Sequence, residues 1–266
     1  MDLASLTIGF IGYGNMAQAM AEGFVDQGVV KGGQIVACAG HFDKLSKTTA
    51  KIGAKPLHSA TEVAVAADVV IIAVKPYLVE SILKGIKTEL AHDDKFVVSI
   101  ASGWNLERYQ SLLLPETHVV CTIPNTPVAV GQGVVIAESK DSLSDGQRRV
   151  FENLITPVAL LERVETAQMS VASVVAGCGP AYAAMFIEAL ADAGVKYGLT
   201  RQSSYRLAAK MVQGTGALQV ATGLIPAAIK DAVCSPGGTT IKGVAALEQH
   251  GFRGSIFSAV DAVVGE

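Results

Sequence analysis

Near the start of the chain a short apolar run, Thr7-Ile8-Gly9-Phe10-Ile11, leads directly into Gly12-Tyr13-Gly14-Asn15-Met16-Ala17. A strand that ends in G-x-G-x-x-A and opens at once into a helix leaves few folds to choose from. Gly12 permits the tight turn, Gly14 lets a pyrophosphate approach the backbone, and Ala17 lets the helix pack closely on its strand. The reading is a dinucleotide-binding loop; an ordinary tight turn is the alternative.

The rest of the N-terminal half has the matching rhythm. Candidate strands are Thr7–Ile11, Ile35–Ala39, Val69–Val74, Phe96–Ile100, His118–Ile123 and Gly133–Ala137, separated by amphipathic helical patterns. Val69-Val70-Ile71-Ile72-Ala73-Val74 is apolar without alternation, as expected of a parallel strand buried on both faces. Helix starts are marked by Ser59-Ala60-Thr61-Glu62, a capping box, and by Asn105 before Leu106. Strand–helix alternation predicts a parallel sheet covered by helices, an α/β class with a Rossmann-type doubly wound sheet over residues 1–165.

After Val164 no strand candidate remains, and only 13 of the 101 residues from Thr166 onward are charged. Apolar residues recur at helical spacing (Tyr182, Met185, Phe186, Leu190; then Tyr205, Ala208, Ala209, Val212), with stops at Gly198, Gly223 and Gly251. An all-helical region so poor in charge cannot hide its apolar surface alone. Residues 166–266 are therefore expected to be a dimerisation domain packed against a second copy. Met169–Ile187 is long and uncharged enough to raise a membrane span, but Gly177-Cys178-Gly179-Pro180 interrupts it and no basic flank orients it, so no membrane partner is expected.

Other classes are disfavoured by composition. A net charge of −3 without a basic cluster gives no nucleic-acid surface. Cys38, Cys121, Cys178 and Cys234 lack metal-ligand spacing, so no metal is expected, and a chain this long needs no disulfide staples, which points to the reducing cytoplasm.

The ends of the strands carry the rest of the cofactor reading. Ala73-Val74-Lys75-Pro76, Ile100-Ala101-Ser102 and the Pro124-Asn125-Thr126-Pro127 turn all fall at the C-terminal edge, where open α/β sheets bind ligands. The second strand closes at Ala39-Gly40-His41, with no Asp or Glu to hold an adenosine 2′-hydroxyl and no Arg for a 2′-phosphate. His41, Lys44, Ser46 or backbone donors would have to serve, which leans slightly toward NADP.

At the far end, Ser235-Pro236-Gly237-Gly238-Thr239-Thr240 opens another helix. Free backbone N–H groups, two hydroxyls and the helix dipole converge there, a favourable place for an anion such as a substrate carboxylate. The plain alternative is a Gly-rich turn with a threonine N-cap.

Five stretches in this order, Phe10–Ala17, Ala73–Pro76, Pro124–Pro127, Gly179–Tyr182 and Ser235–Thr240, make the chain resemble pyrroline-5-carboxylate reductase over essentially its whole length. The resemblance implies NADPH- or NADH-dependent reduction of the cyclic imino acid Δ1-pyrroline-5-carboxylate to proline. It also implies a homodimer interlocked through the helical domain, with dimers able to assemble to decamers. Carried over residue by residue, it implies substrate binding by Ser235, Gly237, Gly238, Thr239 and Thr240, with the Thr240 hydroxyl near the ring nitrogen as the catalytic contact. Cofactor contacts are expected at Ile11, Gly12, Tyr13, Gly14, Asn15, Met16, Ala39, His41, Ala73, Val74, Lys75, Pro76, Ile100, Ala101, Ser102 and Asn125. One departure stands out: Ala176-Gly177-Cys178 replaces the family's common Ser-Gly-Ser, losing both hydroxyls. A β-hydroxyacid dehydrogenase would need a lysine base after the domain junction, and residues 167–195 hold no Lys or His. A non-catalytic NADP-binding regulator would have no use for the Gly-Gly-Thr-Thr turn.

Overall fold

The computed structural model describes residues 3–265. The chain divides into two compact units, Met1–Gly177 and Cys178–Glu266.

The first unit is built on one sheet: β1 (Ile8–Ile11), β2 (Ile35–Cys38), β3 (Lys55–Pro56), β4 (Val69–Ile72), β5 (Phe96–Ser99), β6 (His118–Pro124), β7 (Gly133–Glu138) and β8 (Ala159–Val164), in the order β3-β2-β1-β4-β5-β6-β7-β8. Around it lie α1 (Asn15–Asp26), α2 (Phe42–Thr49), α3 (Ala60–Ala66), α4 (Pro76–Leu90), α5 (Leu106–Gln110), α6 (Asp145–Ile155) and α7 (Met169–Ser173). The uninterrupted apolar runs behave as their pattern requires. Ile8, Phe10, Val69, Ile71, Phe96 and Val98 enter one core, while Ile11, Val70, Ile72 and Val97 enter another on the opposite face. Period-two alternation sorts one run into two cores only when both faces are covered. Phe10, Phe24, Phe96 and Phe151 are wholly buried, each worth ~1.5–3 kcal/mol of transfer free energy.

All six expected strands are present, and both expected caps form. The Ser59 hydroxyl accepts the Glu62 N–H at 3.1 Å and the Asn105 side chain accepts the Arg108 N–H at 3.0 Å. The return bond of the capping box goes one residue further out, from the His58 N–H to Glu62 at 3.1 Å. Two further strands lie outside the expected set. β3 is a two-residue edge strand containing Pro56, and β8 is the opposite edge, with Glu162 and Arg163 breaking its apolar pattern. The sheet is also not wholly parallel. β6 and β7 pair antiparallel, because only the 3-10 turn Thr126–Val130 and the left-handed Gly131 join them, too short for a crossover helix.

The second unit consists of α8 (Gly179–Lys196), α9 (Arg201–Thr222), α10 (Pro226–Ala232), α11 (Thr239–Gln249) and α12 (Phe252–Val264). The expected stops hold: Gly198, Gly223 and Gly251 all have positive φ and sit at or just past a helix end. Helices α8 and α9 meet through small residues, with Ala191, Ser204 and Ala208 buried. Much of the apolar surface is uncovered within the chain: Met185 is 68% exposed and Phe257 72%. Tyr182, Met185, Phe186, Leu190, Met211 and Val212 line an almost wholly apolar groove of about 1090 Å³ in this unit. The helical stretch Thr166–Lys196 is long and apolar enough to cross a bilayer, by length and composition.

Candidate active site

The strand order reverses between β1 and β4, each followed by a loop and then a helix. A cavity of about 720 Å³ opens at that switch point, where α/β sheets take their ligands. Gly12, with φ +92°, makes the turn; its N–H donates to the Cys38 carbonyl at 3.0 Å, and a Cβ added there would lie 2.6 Å from the Ala73 carbonyl oxygen. Gly14 is the N-cap of α1 and makes no side-chain cap bond, so no side chain occupies the first-turn N–H groups. A Cβ on Gly14 would meet nothing within 4 Å, because it would project into open space. That is the cradle a pyrophosphate fits.

The lining residues extend from the tip of β2 to that of β5. They include Gly12 to Met16, Ala39, His41, Ala73 to Pro76 and Ile100 to Ser102, all expected contacts, and no Asp or Glu is among them. Lys44 lines it as well and, with Lys75 and the start of α1, offers two ammonium groups and a helix N-terminus to an anionic ligand. Two expected contacts do not line it. Ile11 is buried, and its carbonyl accepts the Ala73 N–H at 2.8 Å, which holds β1 to the β4 loop. Asn125 is buried with both ends engaged: Oδ1 accepts the Val134 N–H at 2.8 Å and Nδ2 donates to the Ala176 carbonyl at 2.9 Å. Its neighbour Thr126 lines the cavity instead.

Lys44, a 2′-phosphate candidate in the sequence, lines the cavity, Ser46 does not, and Thr48 lines it without being an expected contact. The signal is present in the sequence, since His41, Lys44 and Thr48 recur at helical spacing from the tip of β2 and therefore share a face of α2. Tyr13, Cys38 and Cys121 are not poised for proton transfer. Burial, helped by Glu22, pushes the Tyr13 phenol up to about 12. Burial likewise raises the Cys38 thiol, and raises the Cys121 thiol beside Glu138, so neither is a thiolate nucleophile at neutral pH.

In the second unit, Gly237 has φ +69° and the Gly238 N–H donates to the Ser235 carbonyl at 3.0 Å, forming the turn that starts α11. The N-cap is Gly238, not a threonine, and no side chain caps the helix. A Cβ on Gly238 would fall 2.5 Å from the Ser235 hydroxyl oxygen, so glycine is what lets Ser235 fold over the turn. Thr239 and Thr240 occupy the first two helical positions and are exposed, as are Ser235 and Gly237. Uncapped N–H groups and three hydroxyls thus gather at the N-terminus of an 11-residue helix. Among the described residues no cluster of His, Cys, Asp and Glu could hold a metal ion.

The family model for pyrroline-5-carboxylate reductase dimerisation matches residues 166–266, which accounts for the uncovered apolar helices as an oligomerisation surface. A model described as NADP oxidoreductase, coenzyme F420-dependent, matches residues 7–103, the stretch that carries most of the cavity. The chain is 39% identical to pyrroline-5-carboxylate reductase of Treponema pallidum (strain Nichols), over 97% of this chain and 99% of that protein. It is 36% identical to the Escherichia coli (strain K12) enzyme, over 95% of this chain and 94% of that one. The crystal structure of Plasmodium falciparum pyrroline carboxylate reductase with NADP bound superposes with a TM-score of 0.86 at 28% identity, covering 97% of this chain and 95% of that one. The chain therefore belongs to the pyrroline-5-carboxylate reductase family, NAD(P)H-dependent enzymes that reduce the C=N bond of Δ1-pyrroline-5-carboxylate to give L-proline, the last step of proline biosynthesis.

Proposed function

We propose that the switch-point cavity holds NADPH and that the Ser235–Thr240 turn holds the substrate carboxylate, with the Thr240 hydroxyl on the ring nitrogen. The observation that carries the first half is the pairing of Gly14's open cradle with an acid-free lining that includes His41 and Lys44. A carboxylate at the tip of β2 would favour the 2′-hydroxyl of NADH; imidazole and ammonium groups favour a 2′-phosphate. The second half is supported by the uncapped start of α11 and its exposed hydroxyls.

When bound, the nicotinamide supplies the hydride to the imine carbon. The protein's own task is orientation. The N–H groups of α1's first turn hold the pyrophosphate, the Lys75-Pro76 and Ile100–Ser102 loops bound the other end of the cavity, and the α11 helix start fixes the substrate anion. Thr240 acts as a hydrogen-bond partner to nitrogen, not as a general acid, since a threonine hydroxyl is far too weak; the nitrogen reaches the iminium form with solvent protons. The domain limits that go with this reading are 1–165 for the cofactor and 166–266 for dimerisation and substrate. The protein works in the cytoplasm, as its free cysteines suit, and its dimers associate further, up to decamers.

The test is turnover of pyrroline-5-carboxylate with NADPH and NADH separately, followed at the nicotinamide absorbance. NADPH is expected to give the higher kcat/KM. Thr240→Ala should lose about 1–3 kcal/mol of transition-state stabilisation, roughly 5- to 150-fold in kcat/KM. Full kcat/KM in that variant would remove Thr240 from the role.

A further inference from the structure

We infer that Trp104 and Tyr109 are positioning residues for the coenzyme: buried beside the cavity, they hold the two loops that bound its β4–β5 end. Both lie outside the cavity lining, on the turn into α5 and on α5 itself. The Tyr109 hydroxyl donates to Ser99 Oγ at 2.8 Å, and the same Oγ accepts the Ala101 N–H at 3.2 Å. The Ser99 carbonyl accepts the Thr122 hydroxyl at 2.8 Å, so Ser99 is held from both neighbouring segments. Ala101 is a wall of the cavity. The Trp104 indole N–H donates to the Pro76 carbonyl at 3.1 Å, and Pro76, the first residue of α4 where the β4–α4 loop ends, is another wall.

The two rings act as one piece. Their centroids are 5.3 Å apart, Tyr109 is fully buried and Trp104 only 5% exposed. The Arg108 guanidinium lies 3.7 Å from the centre of the Trp104 ring. Helix α5 is itself anchored, by Asn105 at its N-cap and by the Leu106 N–H donating to the buried Glu138 carboxylate at 2.8 Å. A five-residue helix would not persist alone; these contacts give it one position. Through it, one aromatic pair sets the spacing of Pro76 and Ala101. In a doubly wound sheet the adenosine end of a dinucleotide lies by β2, so this spacing governs the nicotinamide end.

The inference rests on the reading of this cavity as the NADPH site, and the experiment separates the two. NADPH affinity, from the coenzyme's own fluorescence, and steady-state KM and kcat are measured for the wild type, Tyr109→Phe and Trp104→Phe. Each variant keeps an aromatic ring and deletes one donor. Each is expected to raise Kd and KM for NADPH about fivefold to tenfold, the size of one buried hydrogen bond, with KM for the imino acid within about twofold of wild type. A merely structural role would lower the melting temperature and the active fraction with KM for NADPH unchanged, and that result overturns the inference. Ser99→Ala removes the Tyr109 acceptor from the other side and stands in if Tyr109→Phe does not fold; failure of all three variants to fold also overturns it. A wild type that binds no NADPH defeats the cavity reading itself.

Discussion

The Asn125 side-chain amide donates to the carbonyl of Ala176 at 2.9 Å, tying the turn after β6 to the π-helical turn Val174–Cys178. A π-helical turn leaves carbonyls out of the regular ladder, and one that is partly shielded from water needs a donor from elsewhere. Asn125 meets that need while its Oδ1 accepts from Val134. Asn125→Ala is expected to cost about 1–3 kcal/mol and to lower Tm by several degrees in a thermal melt. Asn125→Asp keeps the acceptor but sets a second oxygen against the Ala176 carbonyl, and is expected to melt no higher than the alanine variant. A Tm within about one degree of wild type in both would show the bonds to be dispensable.

The two glycines of the fingerprint should fail in different ways. Gly12→Ala places a side chain at φ +92° and drives its Cβ against the Ala73 carbonyl, so both stability and NADPH binding are expected to fall. Gly14→Ala meets no protein atom, so Tm should stay near wild type while NADPH binding weakens by about tenfold or more, about 1.4 kcal/mol. Paired melts and coenzyme titrations on both variants read the contrast. A Gly14→Ala protein with unaltered affinity would place the pyrophosphate elsewhere.

A charge on the uncovered helical face should break the oligomer. Met185 is 68% exposed within the chain and lines the apolar groove of the second unit. Burying an unpaired carboxylate in an apolar interface costs several kcal/mol. Met185→Glu is therefore expected to shift sedimentation velocity from oligomer toward monomer, with the cofactor-binding unit still folded by circular dichroism.

Lys95 gives a pH-dependent stability with a definite sign. Its ammonium is buried and donates to the carbonyls of Ala64 and Ala67 at the end of α3; burial lowers its pKa, opposed by Asp68 and Asp94. Between the lowered folded value and the unfolded value near 10.5 the unfolded chain holds more protons, so stability contributed by this site rises with pH. Measured against Lys95→Met, the wild type should gain Tm as pH climbs from neutral toward that value. A difference that is flat or falls with pH would contradict the lowered pKa.

Much of the site is legible in residue order. The Gly12-x-Gly14 turn, the Lys75-Pro76 and Ala101-Ser102 loop ends and the Gly237-Gly238 helix start each depend on local backbone chemistry, which a short window contains. Lys44 and Thr48 are readable from helical spacing, but side chains of their kind are ordinarily solvated, and the pattern alone does not separate the two cases. Asn125 is different. Its neighbours in sequence suggest a ligand contact, and only the fold shows that Ala176, 51 residues away, occupies its donor. Edge strands β3 and β8 escape detection because a strand paired on one side tolerates Pro56, Glu162 and Arg163, which erase the apolar signal.

By itself the sequence determined the class of the protein: a parallel-rich sheet with a dinucleotide loop, then helices too poor in charge to stand alone. These follow from periodicity and composition, which act over a few residues at a time. The tertiary structure decided which side chains face the cavity and which hold it open. Trp104 and Tyr109 carry no motif, and their effect on Pro76 and Ala101 passes through hydrogen bonds made only once α4, β5 and α5 have packed together. Such contacts depend on distances across the fold, and residue order alone does not encode them in any local pattern.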